Sequence, residues 1–572
     1  MAPCRIRLRW VLWTVVLGLC IALLPILVVL VARTYTTRVS AAAGLALRGQ
    51  SAHQWVIKTA QPTALSPQER QELKEALKVY ANGLDLRLGS NSNSPLIWHH
   101  QQKRESARER TSVQTLCCMC LTGAIRLQTV SFSDKEQNTT ALAEFEPYIR
   151  RVFPELFSAP FIQHEVIGEY SHLFTIQGSN PQLQPYMLIA HIDVVPATSD
   201  GWDIDDPFSA EERDGFIYGR GTLDNKNSVV AILHALEFLL RRNYRPRRSF
   251  YIGFGHDEEV GGKKGAMKIV TELESRGVEL SFLLDEGSFI FDGVFTAVKK
   301  PIAIVGITEK GSITASFSVT LAPGHSSAPS KRTSIGILSE AISKLELNPM
   351  PNLFGHGPEL MMFEQMAPEF SFPLNIIMAN LWLFAPLVGR ILEQVPSTNT
   401  LVRTTTAITM FHAGVKSNVI PQSANATINF RIHPSQTVEQ VLKIAEKTID
   451  DNRVKIETMN AFDPLPVSPW DDQTLGVQVF RQTILDVFPD VGGIVPGICV
   501  ANTDSRHYGG LTKAIYRFNS VIFKPDDLPR FHGLNERISI ESYEKQVEFF
   551  FQLIQNSDID EQADPHRDSH EL

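Results

Sequence analysis

Five side chains able to ligate a metal follow one another along this chain: His191 in H-I-D, Asp224 in G-T-L-D-N-K, Glu259 in H-D-E-E, Asp285 in L-L-D-E-G and His532 in F-H-G. Two imidazoles and three carboxylates are the donor set that a pair of zinc ions, two per subunit, needs. Glu258, beside Glu259, is left over as a proton acceptor. In H-I-D, residues two apart on a strand point the same way, so Asp193 can accept the second ring N–H of His191 and fix its tautomer. Asp224 offers two oxygens, enough to bridge ions about 3.5–4 Å apart. Bound cations bring the pKa of water towards neutrality, and Glu258 is placed to take the proton released. Taken singly, each motif has an ordinary reading: H-x-D as a hydrogen-bonded pair, D-E-E as a solvated turn, D-E-G as a cap or turn. The ordered set points to a two-metal hydrolase.

Such ligands need elements to hold them. The first four each follow an apolar run (Met187–Ala190, Leu223, Phe250–Phe254, Phe282–Leu284), which places them at the carboxyl ends of buried strands, where an open α/β sheet carries its site. From Ala141 to about Val305, apolar strands alternate with helical patterns such as Ser228–Arg241, predicting an α/β catalytic domain with a mostly parallel sheet. Past Lys310-Gly311 the texture changes. Ile313, Ala315, Phe317, Val319 and Leu321 alternate with Thr and Ser, the mark of a strand with one wet face. A helix follows with Ile335, Leu338, Ile342 and Leu345 on one side, then strands near Arg403–Phe411 and Asn425–His433. A second helix (Val438, Val441, Leu442, Ala445, Ile449) and a strand at Val454–Thr458 complete βαββαβ, a ferredoxin-like α+β lid inserted into the first domain.

The layout expected is a signal peptide or signal anchor over 1–45, a linker over 46–65, the catalytic domain over 66–310 and 461–555, the lid over 311–460 and an acidic, disordered tail over 556–572. One stretch does not fit. The charged helix starting at Ser66-Pro67 should run on into Gly123, but Val79–Thr122 intervenes with neither a 3.6 nor a 2 periodicity and reads as an atypical insertion. Its C-C-M-C (Cys117, Cys118, Cys120) lacks the C-x-x-C spacing of a structural zinc site.

The 572 residues have room for two or three domains, and 43% hydrophobic with 20% charged residues is globular. A net charge of −8 without any basic stripe excludes a nucleic-acid partner. Arg5, Arg7 and Arg9 precede an apolar run from Trp10 to Ala32, a secretory signal. The run is also long enough to span a bilayer. A secreted, extracellular product is the reading; a type II membrane anchor is the alternative, with membrane contact only if the segment stays uncleaved. Asn138-Thr-Thr and Asn425-Ala-Thr are glycosylation sequons in a lumenal chain. Six cysteines, two of them in the targeting segment, form no disulfide framework.

S-H-L-F-T-I-Q-G-S, A-H-I-D-V-V-P, Y-G-R-G-T-L-D-N-K-N-S, G-H-D-E-E, G-H-S-S-A-P, N-V-I-P and N-T-D-S-R together resemble the two-zinc aminoacylase and carboxypeptidase S hydrolases. The likeness is nearer still to a secreted vertebrate branch that handles N-fatty-acyl amino acids. It covers Ser66–Lys78 and then Gly123 to about Asn556. The resemblance implies that His191 and Asp285 hold one zinc and Glu259 and His532 the other, with Asp224 bridging, Asp193 supporting His191 and Glu258 as general acid/base. It implies that His325 stabilises the oxyanion and that Asn418 and Arg431 bind the substrate carboxylate, with Arg506 a further candidate. Arg431 lies on the polar face of its strand with Thr427 and Asn429. The reaction implied is hydrolysis of N-acyl amino acids, reversible to join a fatty acid to an amino acid.

Met350–Val395, inside the lid, is crowded with apolar residues and holds five of the eleven Met. Met-rich surfaces adapt to flexible apolar ligands; lid core or a homodimer interface through the lid is the plainer reading. A metallo-carboxypeptidase or dipeptidase would use the same catalytic groups. A dead relative serving as a binding ectodomain does not fit a chain that keeps five ligands and a base.

Overall fold

Tyr186–His191, Phe250–Gly255 and Leu283–Phe291 are almost wholly apolar and form buried strands side by side. They belong to a computed structural model that describes residues 112–295 and 297–559. The expected signal or anchor, the linker, the helix from Ser66 and the tail from 560 onward lie outside the described residues. Among the described residues no helix is long and apolar enough to cross a membrane.

The chain divides into two units, the larger built from 112–294, Ala303–Glu309 and 465–559, the smaller from Lys310–Pro464 and a short stretch over 295–302. In the larger unit eight strands lie in the order Gly493–Cys499, Ile302–Glu309, Ile515–Phe523, Leu283–Phe291, Tyr186–His191, Phe250–Gly255, Ser171–Ile176, Ile162–Ile167. The four central strands are parallel. Those beyond them are antiparallel where Ile302–Glu309 meets Ile515–Phe523 and in the hairpin Ile162–Ile176. The sheet is therefore mixed, with a parallel centre, in the α/β catalytic domain that was expected. A three-residue turn at 168–170 is too short for the crossover that parallel neighbours need.

Both faces are covered. Leu188 and Ala190 pack with the helix Lys226–Arg241, while Met187 and Ile189 pack with Ala266–Ser275 on the other side. This period of two is what a strand buried on both faces displays.

Ser112–Arg126 is a helix, so the last part of the stretch read as an atypical, disordered insertion, from Ser112 to Thr122, is ordered; 79–111 lie outside the described residues. Cys118, Leu121 and Ile125 recur at helical spacing, and with Cys120 and Ala124 they are buried in the main core. Buried free thiols act here as small apolar side chains. Gly123 is needed because a Cβ there would sit 2.5 Å from the Tyr148 hydroxyl.

The smaller unit is an antiparallel sheet ordered Thr405–Ala413, Ser423–Ile432, Gly311–Thr320, Lys455–Phe462, with helices Ser334–Leu347 and Val438–Ile449 sharing its core. That order is the ferredoxin-like one. Gly311–Thr320 alternates buried and half-buried residues along its length. Ile335 departs from expectation and faces solvent, with Ile337 taking its place in the core. Between Met350 and Val395 lie short helices, Glu359–Met366, Leu374–Met378 and Leu381–Leu392.

Candidate metal centre

His191 is the last residue of its strand, and its position fixes the centre. Its Nδ1 lies 3.0 Å from the Asp193 carbonyl oxygen, which can only accept, so Nδ1 carries the proton. Nε2 then faces Asp224 Oδ1 at 2.9 Å and Glu286 Oε1 at 3.2 Å. The second oxygen of Asp224 meets His532 Nε2 at 2.7 Å, and that nitrogen is 3.4 Å from Glu259 Oε2. One carboxylate thus stands between two imidazoles, an oxygen to each.

The Asp193 carboxylate is not the near partner of His191 that H-I-D predicted. It is 3.5 Å from Nδ1 and accepts instead from the Glu258 and Glu259 amides, at 3.1 and 3.3 Å. Its work is to hold the H-D-E-E turn after Phe250–Gly255 against the strand that ends in His191.

Asp285, implied as a ligand beside His191, makes other contacts in this structure. Its carboxylate accepts from Ser505 N at 2.9 Å and from Glu286 N at 2.8 Å. Glu286 supplies the carboxylate at His191 and is steadied by Asn225 Nδ2 at 2.7 Å. The cause is local. Asp285 pairs with Arg517 and Ser288 with Phe518, so Glu286 and Gly287 bulge out of the ladder. A bulge re-aims a side chain. Gly287 has φ 141°, and a Cβ there would meet the Arg517 Cβ at 2.8 Å.

The donor set fits a pair of divalent cations. Two groups of side chains, His191 with Glu258 and Glu286, and His191 with Asp224 and Glu259, each offer converging ligand atoms. Glu259 Oε1 is buried without a hydrogen-bond partner, an acceptor awaiting positive charge. Burial, then the neighbouring carboxylates, raises Glu258 and Glu286 well above the ordinary carboxylate range despite the opposing pull of His191. Burial works against a charged His532, but its contacts with Asp224 and Glu259 prevail and lift it to about 10. This is a crowd of acids with two imidazoles as its cations, and bound metal ions would relieve it.

Residues 187–556 match the model of peptidase family M20/M25/M40. The chain belongs to this family. As a member it is a metal-dependent hydrolase. The N-fatty-acyl-amino acid synthase/hydrolase of Xenopus tropicalis is 61% identical over 452 residues, 79% of this chain and 88% of that protein. Its Homo sapiens counterpart is 54% identical over 482 residues, 83% and 95% of the two chains. A probable carboxypeptidase S-like 2 of Dictyostelium discoideum is 40% identical over 449 residues, 77% and 84%. Human carnosine dipeptidase 1 shares the fold, with a TM-score of 0.56 at 15% identity over 85% of this chain and 99% of that one.

The remaining candidates fall in both units of this M20 chain. Arg506 lies in the turn Asp504–Gly510, near Gly261 of the loop that follows Glu258. In the smaller unit, His325 pairs with Val419 and the Ser326 amide donates to the Asn418 carbonyl at 3.2 Å, so the structure sets His325 and Asn418 side by side. The His325 ring is exposed, its Nδ1 2.7 Å from Ser327 Oγ. Arg431 stands on the half-open face of its strand beside Asn429. Asn138 is exposed and caps the helix Thr139–Val152, accepting from Ala141 N. Asn425 is held in the sheet by Ser316 Oγ at 2.6 Å.

Sequence reasoning missed Asp504, whose two oxygens are buried without partners against Gly255 and Gly262. It also missed Glu536, fully buried four residues past His532.

Proposed function

We propose that this chain hydrolyses the amide bond of N-acyl amino acids carrying fatty acyl chains, and joins fatty acid to amino acid in the reverse direction. The observation that carries the reading is Asp224, set between His191 and His532 with Glu258 beside them, in a chain so similar to proteins named for that reaction. Zinc, two ions per subunit, is the metal this mixture of imidazole and carboxylate favours. His191, Asp224 and Glu286 would hold one ion and Asp224, Glu259 and His532 the other. Bound there, the cations supply Lewis acidity to the scissile carbonyl and acidity to water.

The chain's own groups do the rest. Glu258, kept basic enough by burial to accept a proton, takes it from the attacking water and returns it to the departing amine nitrogen. His325 donates to the developing oxyanion. Asn418, Arg431 and Arg506 bind the substrate carboxylate. Secretion with a glycan on exposed Asn138 follows from the N-terminal segment; Asn425 is a poorer acceptor. The exposed edge strand Thr405–Ala413, with Met410 and Phe411 on its surface, is the place for a homodimer contact.

The test is turnover of the purified, zinc-loaded protein on N-acetyl and N-oleoyl amino acids alongside dipeptides. Preference for long acyl chains, with synthesis at high fatty acid and amino acid, is expected. Cleavage of dipeptides alone would replace this reading with a dipeptidase or carboxypeptidase.

A further inference from the structure

Asp224 and His532 meet although 308 residues separate them along the chain. His532 has φ 56°, a left-handed conformation that a side chain with a Cβ adopts at some cost, and its ring is nearly half exposed. Asn535, in the same loop, also has positive φ. Gly533 leaves no room for a Cβ, which would lie 2.0 Å from the Pro529 carbonyl oxygen. Packing around the imidazole is therefore too slight to fix it, and the backbone must be held from behind.

Two buried side chains do this reciprocally. Oε1 of Glu536 accepts from the backbone amides of Gly221, Leu223 and Asp224, at 3.0, 2.8 and 3.3 Å. Its Oε2 receives one arm of the Arg220 guanidinium. The other arm of Arg220 donates to the carbonyl oxygens of His532 and Gly533, at 3.2 and 3.1 Å. Each loop thus sends a side chain to grip the backbone of the other. The Gly219 amide adds a bond to the Glu536 carbonyl at 2.9 Å, and Arg537 pairs with Tyr218 just beyond. Glu536 and Arg220 are almost without accessible surface, where a planar guanidinium suits two acceptors at once better than a point charge does.

We propose that Arg220 and Glu536 are a positioning pair that sets the spacing of Asp224 and His532, and so tunes chiefly the ion held by Asp224, Glu259 and His532, the one site with a ligand on each of the gripped loops. The proposal rests on the two-metal reading. Arg220→Lys keeps the charge but cannot span Glu536 and both carbonyls. Glu536→Gln keeps the shape but leaves Arg220 uncompensated.

The experiment titrates apoprotein of the full chain with Zn²⁺ against a competing chelator, with circular dichroism of each apoprotein as the check on folding. Both variants should bind at least one of the two ions about 10–100-fold more weakly than the unaltered chain does. Two ions bound at unaltered affinity would overturn the proposal. So would variants whose apoproteins fail to fold, since the pair would then serve the fold and not the ion. Asp224→Ala separates this from the metal assignment. If that variant still holds two tight ions, the bridging role assigned to Asp224 fails; if it loses one or both while Arg220→Lys and Glu536→Gln do not, the positioning pair alone falls.

Discussion

Glu286 faces Nε2 of His191, while Asp285 commits both oxygens to amides of its own loop and of Ser505. Glu286→Ala should therefore cost an ion, and Asp285→Asn should keep two, as metal analysis after dialysis would report. The opposite pattern would restore Asp285 as the ligand. Glu258→Gln keeps size and a hydrogen-bonding oxygen but cannot accept a proton. Turnover should fall roughly 10²- to 10⁴-fold with metal content unchanged, and a near-normal rate would remove Glu258 from the chemistry. Most of this centre was legible in sequence because His191, Asp224, Glu258 and Glu259 follow strands or turns where neighbouring residues cannot be exchanged. D-E-G offered two adjacent acids, and only the bulge at Glu286-Gly287 decides between them. Arg220 and Glu536 stayed hidden because each touches mainly the backbone of a loop distant in sequence, which no local motif announces.

At the scale of elements, the strict alternation of Ile313–Val319 made its strand plain, and the heptad-like stripe Val441, Ala445, Ile449 its helix. The start of Ser112–Arg126 was set aside with the stretch before it for want of periodicity, because Cys118 and Cys120 do not read as core until they are seen to serve as small apolar side chains beside Leu121. Leu121→Ala should lower stability by about 2–5 kcal/mol, readable as a fall in urea midpoint; no change would detach this helix from the core. The segment 350–395 divides differently from what its composition alone conveys. Met362 and Phe363 are buried in the smaller unit, whereas Trp382, Leu383, Leu387 and Ile391 of the helix Leu381–Leu392 are exposed. If that open face handles the acyl tail, Leu387→Ser and Ile391→Ser should penalise long chains selectively. At about 0.8 kcal/mol per methylene, losing two or three contacts costs roughly 10-fold or more in kcat/KM, with N-acetyl substrates little affected. An equal loss at every length would mean a damaged fold, and no loss would free the face for another role.

For the whole molecule, acid stability depends on imidazoles far from the centre. His234 is fully buried, its ring stacked on Phe238 and edge-on to Phe153, with neither nitrogen hydrogen-bonded. Burial, aided by Arg241, lowers its pKa from 6.5 to about 3. Such a group is neutral when folded and takes up a proton on unfolding below pH 6.5. Its contribution is complete above 6.5 and is lost as pH falls towards 3. At pH 5 that loss is on the order of 2 kcal/mol. His234→Leu should therefore show a smaller drop in unfolding free energy between pH 7.5 and pH 5 than the unaltered chain. Parallel pH dependence in the two would contradict this assignment. The two-unit division and the lid's strand order follow from alternating patterns that each segment carries by itself. The antiparallel flanks of the main sheet depend on the short turn at 168–170 and on where the chain returns after the insertion, both properties of connection.

His532 stands 308 residues beyond Asp224, with the whole inserted unit between them. During synthesis the chain emerges from its amino terminus, and domains fold as they appear. A nascent chain that has released everything up to Glu309 already owns His191, Asp224, Glu259 and Glu286, but neither His532 nor the Glu536 that braces its loop. The centre is therefore completed only after the inserted unit has been translated. A product truncated between Glu309 and residue 532 keeps four of the five proposed ligands and lacks the fifth, so the two-ion site stays incomplete until His532 has been made.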